Sequence, residues 1–176
     1  RTPPVHPLRT AGLLVVYVLV AVWLSGCAPR PVVEDTRLLR NPTVSIGAIT
    51  RFEPARFDGR WSIRQSGGGD WDLRAFEVTQ QSGVWRETLS GGAVRNAVIA
   101  QRGPGILRLT YTGGDQRDLW VVWIDPDHQT AALGDPEGRF GFVATRAGTA
   151  RADQITAARQ VLDFNGYQTE TWGERP

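Results

Sequence analysis

Between residues 61 and 146 the sequence alternates apolar and polar side chains, and it is cut at short intervals by glycine, proline, aspartate or serine. A β-strand shows successive side chains to opposite faces, so a period of two bounded by turn formers marks a half-buried strand. Eight such segments can be marked off, at 61–65, 75–80, 84–89, 96–101, 106–111, 119–124, 130–133 and 140–146. Their separators are turn sequences: Ser82-Gly83, Ser90-Gly91-Gly92, Gly103-Pro104-Gly105, Gly113-Gly114-Asp115 and Asp125-Pro126-Asp127. Eight strands joined at hairpin length predict an all-β domain, either an antiparallel sandwich or a closed up-and-down barrel.

The period changes once. Over 151–165, Ile155, Ala158, Val161, Leu162 and Phe164 recur at three- and four-residue steps. This predicts one amphipathic helix, opened near Thr149 or Asp153 and stopped at Asn165-Gly166, with its apolar stripe laid on the outside of the sheet. The tail 167–172 alternates with threonine and offers a short edge strand.

The other end of the chain reads as a targeting segment. Arg1 and Arg9 precede a run of 14 apolar residues over 11–24. A spanning helix needs about 20 apolar residues, so this length suits the core of a signal peptide. Leu24-Ser25-Gly26-Cys27 follows and contains the only cysteine of the chain. It resembles the lipobox of bacterial lipoproteins; a plain secretory signal and a short membrane anchor are the alternatives. The resemblance implies cleavage between Gly26 and Cys27 and acylation of Cys27, which holds a protein on a membrane without a spanning helix. Ala28, rather than aspartate, after the cysteine resembles an outer-membrane address, with the protein facing the periplasm. The expected organisation is a signal peptide at 1–26, a lipidated N-terminus and proline-bearing tether at 27–50, and a barrel with its helix at 51–176.

Several function classes are disfavoured. All 20 basic residues are arginine; 18 of them follow the targeting segment and face 18 acidic residues, with no basic stripe for a nucleic acid. Cys27 is committed to lipid and His6 to the signal, which leaves His128 without partners for nucleophilic catalysis. Asp125, Asp127, Asp135 and Glu137 do not have the spacing of a calcium loop, and two Asp-Pro pairs read as turns. The glycine run at 67–70 is followed by neither helix pattern nor lysine, so it is not a phosphate loop but a lid loop between the first two strands. The chain is therefore expected to be no enzyme, and to hold neither cofactor nor metal.

One short block organises the rest. Phe57-Asp58-Gly59-Arg60-Trp61-Ser62-Ile63 opens the first strand, with glycine two residues before tryptophan. With the eight-strand meander and single helix, it resembles the start of the lipocalin family, and with the lipobox it resembles the bacterial lipocalins of the outer membrane. Val121-Val122-Trp123-Ile124-Asp125 is similar to the family's second motif, of which only the aspartate is kept. The segment 140–146 is similar to the third and ends in Arg146. The resemblance implies an eight-stranded antiparallel up-and-down barrel with one C-terminal helix packed outside. It also implies that Arg146 packs on Trp61 to close one end. Gly59, Trp61, Asp125 and Arg146 are then structural. Alternation points Ile63, Leu107, Leu109, Tyr111, Val121, Trp123, Phe142 and Ala144 inward. Such apolar walls suit a small hydrophobic ligand of the fatty acid or lysophospholipid class, with Arg64 or Arg108 at the rim for its acid group. The second function class is a packed barrel that docks on an envelope partner and takes no small molecule.

Overall fold

The computed structural model describes residues 38–67, 71–146, 148 and 151–174. The targeting segment, Gly26 and Cys27 lie outside them, as do residues 68–70. Strands β1 (Gly59–Gly67), β2 (Leu73–Thr79), β3 (Val84–Leu89), β4 (Val94–Gly103), β5 (Ile106–Tyr111), β6 (Gln116–Ile124), β7 (Thr130–Gly134) and β8 (Gly141–Arg146) pair antiparallel with their sequence neighbours. The pairing of β1 with both β2 and β8 closes the sheet into a barrel. A short helix, α1 (Pro54–Phe57), precedes β1, and the amphipathic helix α2 (Ala152–Phe164) follows β8. The edge strand expected at 167–172 forms slightly later, as β9 (Gly173–Glu174), and pairs with Gln65 and Ser66 of β1.

Alternation divides the apolar residues into two layers. The barrel interior holds Trp61, Ile63, Phe76, Val78, Trp85, Leu107, Leu109, Leu119, Val121, Leu133 and Phe142, all buried. A second cluster lies between barrel and helix, where Ala158 and Leu162 of α2 meet Val122, Ala132 and Val143. Ile155 and Val161 flank it, whereas Phe164 turns out to solvent at 85% exposure and does not belong to the expected stripe.

One expected inward residue is displaced. Trp123 packs in the outer cluster, because the β6–β7 register shifts between Val121 and Trp123. A bulge places an extra residue in one strand and reverses the phase beyond it. Val122 and Trp123 therefore both serve the outer layer, and Ile124 returns to the inner one.

The two ends of the barrel differ. At one end Trp61 pairs with Arg146 across β1 and β8, and the Arg146 guanidinium lies 4.3 Å from the indole centroid. Arg146 also donates to the carbonyls of His128, at 3.0 Å, and Arg56, at 2.5 Å. Burial pushes its pKa down, against the pull of Asp58. The Trp61 indole donates to the Phe57 carbonyl at 2.9 Å, which ties α1 across the same end. Gly59 has φ +104°, and a Cβ there would lie 2.8 Å from Arg146 Nη1. The glycine of the motif thus makes room for the arginine, in a backbone conformation that side chains rarely adopt. This end is the floor.

Asp125 closes the β6–β7 turn at the floor. Its buried carboxylate accepts from the backbone N–H groups of Asp127, Gln129 and Thr130, and from Gln154 of α2. Asp135 does the same at the opposite end, accepting from the Arg139 backbone and guanidinium. Two acids expected to be turn formers are therefore turn formers, at opposite ends of the barrel.

Candidate functional site

The end opposite the floor carries polar side chains on inward positions. In β3, Trp85 is followed two residues later by Glu87; in β4, Arg95 precedes Ala97 and Ile99; β5 ends at Tyr111; and in β6, Arg117 precedes Leu119 and Val121. Strand order brings these four polar residues together, because β3, β4, β5 and β6 are consecutive neighbours.

Glu87 is fully buried and its carboxylate is saturated. One oxygen accepts from the Trp85 indole at 2.9 Å and from the Tyr111 hydroxyl; the other accepts two hydrogen bonds from Arg95, at 2.9 and 2.6 Å. Burial, and then the charge of Glu87, pushes the Tyr111 phenol far above its ordinary value, so it remains a donor. Burial disfavours the Arg95 cation, but hydrogen bonds and charge from Glu87 outweigh that and raise its pKa. Arg95 also lies 4.5 Å from the Tyr111 ring centroid. A buried carboxylate is tolerable only when paired and hydrogen-bonded, and this one is both. The network fixes the wall of the site.

Arg117 is differently placed. Its guanidinium lies 5.0 Å from a ring centroid of Trp71 and 5.8 Å from that of Phe140. Among the described residues it makes no hydrogen bond and no ion pair. An arginine over aromatic faces keeps its forked N–H donors free to meet a carboxylate or phosphate. Next to it is a cleft of about 320 Å³ lined by Arg95, Tyr111, Asp115, Gln116, Arg117 and Arg139. Arg139 is held by Asp135 and Glu137. Trp71 is buried, and its indole N–H has no partner among the described residues; the Ser66 hydroxyl is in the same state.

Below this mouth an aromatic column descends the barrel axis. Trp71 meets Phe140 edge-on at 4.4 Å and Trp85 at 6.5 Å; Trp85 stacks on Phe76 at 4.3 Å, and Phe76 on Trp61 at 6.2 Å. Phe57 lies beneath, 5.2 Å from Trp61. These rings, together with Leu107, Leu109, Leu119 and Leu133, are buried in the centre and floor of the barrel.

Of the residues expected to line a ligand cavity, Ile63, Leu107, Leu109, Tyr111, Val121 and Phe142 are interior, as is Ala144. Trp123 is outside, for the reason of register given above. The two arginines expected at the rim are elsewhere. Arg64 donates to Thr145 Oγ1 on the outer surface, and Arg108 makes a two-bonded ion pair with Asp118 on the outer surface. The inward arginines, Arg95 and Arg117, lie in strand ends that read as turn sequence. β4 begins before 96 and β6 before 119.

No protein-family model matches the chain, and no curated protein matches it. Among solved structures it is similar to insecticyanin of the tobacco hornworm Manduca sexta, with a TM-score of 0.60 at 8% identity over 75% of this chain and 84% of that one. It is similar to lobster apocrustacyanin A1, with a TM-score of 0.54 at 14% identity over 74% and 88%. It is also similar to the bovine lipocalin allergen Bos d 2, with a TM-score of 0.50 at 12% identity over 70% and 94%. At such identities the likeness speaks for architecture, and on that ground the chain is a protein of the lipocalin fold.

Proposed function

We propose that this chain is a lipid-anchored member of the lipocalin family, of the bacterial outer-membrane type, and that it binds a small amphipathic ligand at the open end of its barrel rather than catalysing a reaction. The observation that carries the ligand reading is Arg117, stacked on Trp71 and Phe140 beside a 320 Å³ cleft with no acidic partner among the described residues. The acid group of a fatty acid or lysophospholipid meets this guanidinium, and the adjoining methylenes lie on the aromatic wall. The column from Trp71 to Phe57 limits how deep the chain runs.

This depth limit has a measurable signature. Burying a methylene is worth about 0.8 kcal/mol, roughly a fourfold gain in affinity per carbon. In a displacement titration with a fluorescent fatty acid, affinity should rise along a series of short acids and then level off. A continued fourfold rise out to long chains would mean that the rings part and the whole tail enters. Native mass spectrometry of protein extracted from its host should show a co-purifying lipid.

The stacked rings of the lower barrel support a second reading, a packed lipoprotein that docks on an envelope partner and takes no small molecule. Absence of both saturable uptake and co-purifying lipid selects that reading. The anchor is tested separately: the Cys27 peptide should carry acyl mass, and Cys27→Ser should lose it.

A further inference from the structure

Five buried side-chain polar atoms have no hydrogen-bond partner among the described residues: Gln65 Oε1, the Ser66 hydroxyl, the indole nitrogens of Trp71 and Trp172, and Gln80 Nε2. Such groups cost free energy unless something meets them. Their places in the fold separate them. Gln65 pairs across β1 and β8 with Val143 of the outer layer, and Trp172 packs in that same layer. Gln80 belongs to the β2–β3 turn at the floor. Of the five, Ser66 and Trp71 face the barrel interior at the mouth.

Both of these residues meet Phe142. Ser66 pairs with Phe142 across β1 and β8, and directly opposed residues of neighbouring strands show their side chains to the same face. Phe142 is an interior residue, so the Ser66 hydroxyl is interior as well. The Trp71 ring meets Phe142 edge-on at 5.6 Å and is 4% exposed. The Arg117 guanidinium lies 5.0 Å from a ring centroid of the same tryptophan. Arg117, Trp71, Phe142 and Ser66 therefore form one continuous series of neighbours that leads inward from the cleft.

The two ends of this series differ in chemistry. Arg117 presents charged donors suited to an acid group. Further in, Trp71 offers one neutral donor, and Ser66 a hydroxyl that both donates and accepts. A plain hydrocarbon tail leaves both unmet. A single hydroxyl on the tail answers both, accepting from the indole N–H and exchanging a hydrogen bond with the serine. A site built to hydrogen-bond a hydroxyl rejects the analogue that lacks it, whereas an apolar wall separates the two only weakly.

We propose that the ligand of this site is an oxygenated fatty acid, with its carboxylate on Arg117 and a chain hydroxyl on the Trp71 N–H and the Ser66 hydroxyl. This rests on the mouth being the ligand site and on Arg117 meeting the acid group. The purified protein would be titrated, by displacement of a fluorescent fatty acid, with decanoate, its 3-hydroxy and 5-hydroxy derivatives, and 10-hydroxydecanoate, whose oxygen is at the far end. The 3-hydroxy or the 5-hydroxy acid should bind at least about fivefold more tightly than decanoate, and 10-hydroxydecanoate should show no such gain. The ratio of hydroxy acid to decanoate affinity is then read in Trp71→Phe, which keeps a ring without the N–H, and in Ser66→Ala. Packing lost in Trp71→Phe weakens both ligands, so the ratio isolates the hydrogen bond, and Ser66→Ala serves where Trp71→Phe fails to fold. The ratio should fall at least about threefold in one or both variants. A ratio near one in the unaltered protein overturns the proposal; the Arg117 site still stands if decanoate outbinds decanol. An equal gain from 10-hydroxydecanoate, or an undiminished ratio in both variants, also overturns it. If no acid binds saturably, the ligand site and this proposal fall together.

Discussion

A methyl group at residue 59 would lie 2.8 Å from an Arg146 nitrogen, on a backbone with φ +104°. Arg146 cannot easily yield, since two carbonyls hold it over Trp61. Gly59→Ala should therefore destabilise the protein by about 1–3 kcal/mol, the usual range for a side chain forced into such a conformation, read as a fall in the urea midpoint. Glu87→Gln leaves the Arg95 cation without its counter-charge in a buried network, and should lower stability by about 1–3 kcal/mol. The floor was legible in the sequence because Gly59, Trp61 and Arg146, at the ends of two clear strands, carry the family resemblance that implies their contact. The mouth was not. Arg95 and Arg117 sit where polar strand ends look like turns, and Trp71 lies outside any strand. Only the curvature of the closed sheet brings Arg117 over Trp71 and Phe140.

The bulge in β6 shows where reading by element fails. Alternation carried straight through 119–124 puts Trp123 inside, but the register shift puts it under α2. A bulge leaves no mark in a run of uniformly apolar residues, since both faces look alike. Trp123→Ala should cost about 2–4 kcal/mol through lost outer packing, with ligand affinity unchanged; an inward tryptophan would alter both. Phe164→Ser, at a position 85% exposed, should move stability by less than about 0.5 kcal/mol. The Arg108–Asp118 pair joins β5 to β6 on the outer surface. The hydrogen bonds from Arg108 hold the Asp118 carboxyl below its ordinary value. Its contribution is present above the unfolded carboxylate pKa, about 3.9, and is lost as pH falls through the lower folded value. Asp118→Asn should flatten the acid limb of the stability profile slightly, because the pair is exposed to solvent.

At the scale of the molecule, barrel closure sorts chemistry by end. The floor is sealed by an indole, a guanidinium and the helix α1, and an aromatic column runs through the centre. The mouth carries an arginine, Arg117, free of carboxylates among the described residues. The central claim is that Arg117 reads the acid group of an amphiphile. A charge-assisted contact of this kind is worth about 1.5–3 kcal/mol, or roughly 10- to 100-fold in Kd. The most direct measurement is titration of the purified protein and of Arg117→Ala with a fatty acid and with the fatty alcohol of equal length. The protein should prefer the acid by at least about tenfold, and Arg117→Ala should lose that preference while keeping its affinity for the alcohol. Equal binding of acid and alcohol by the unaltered protein, or an undiminished preference in Arg117→Ala, would contradict it.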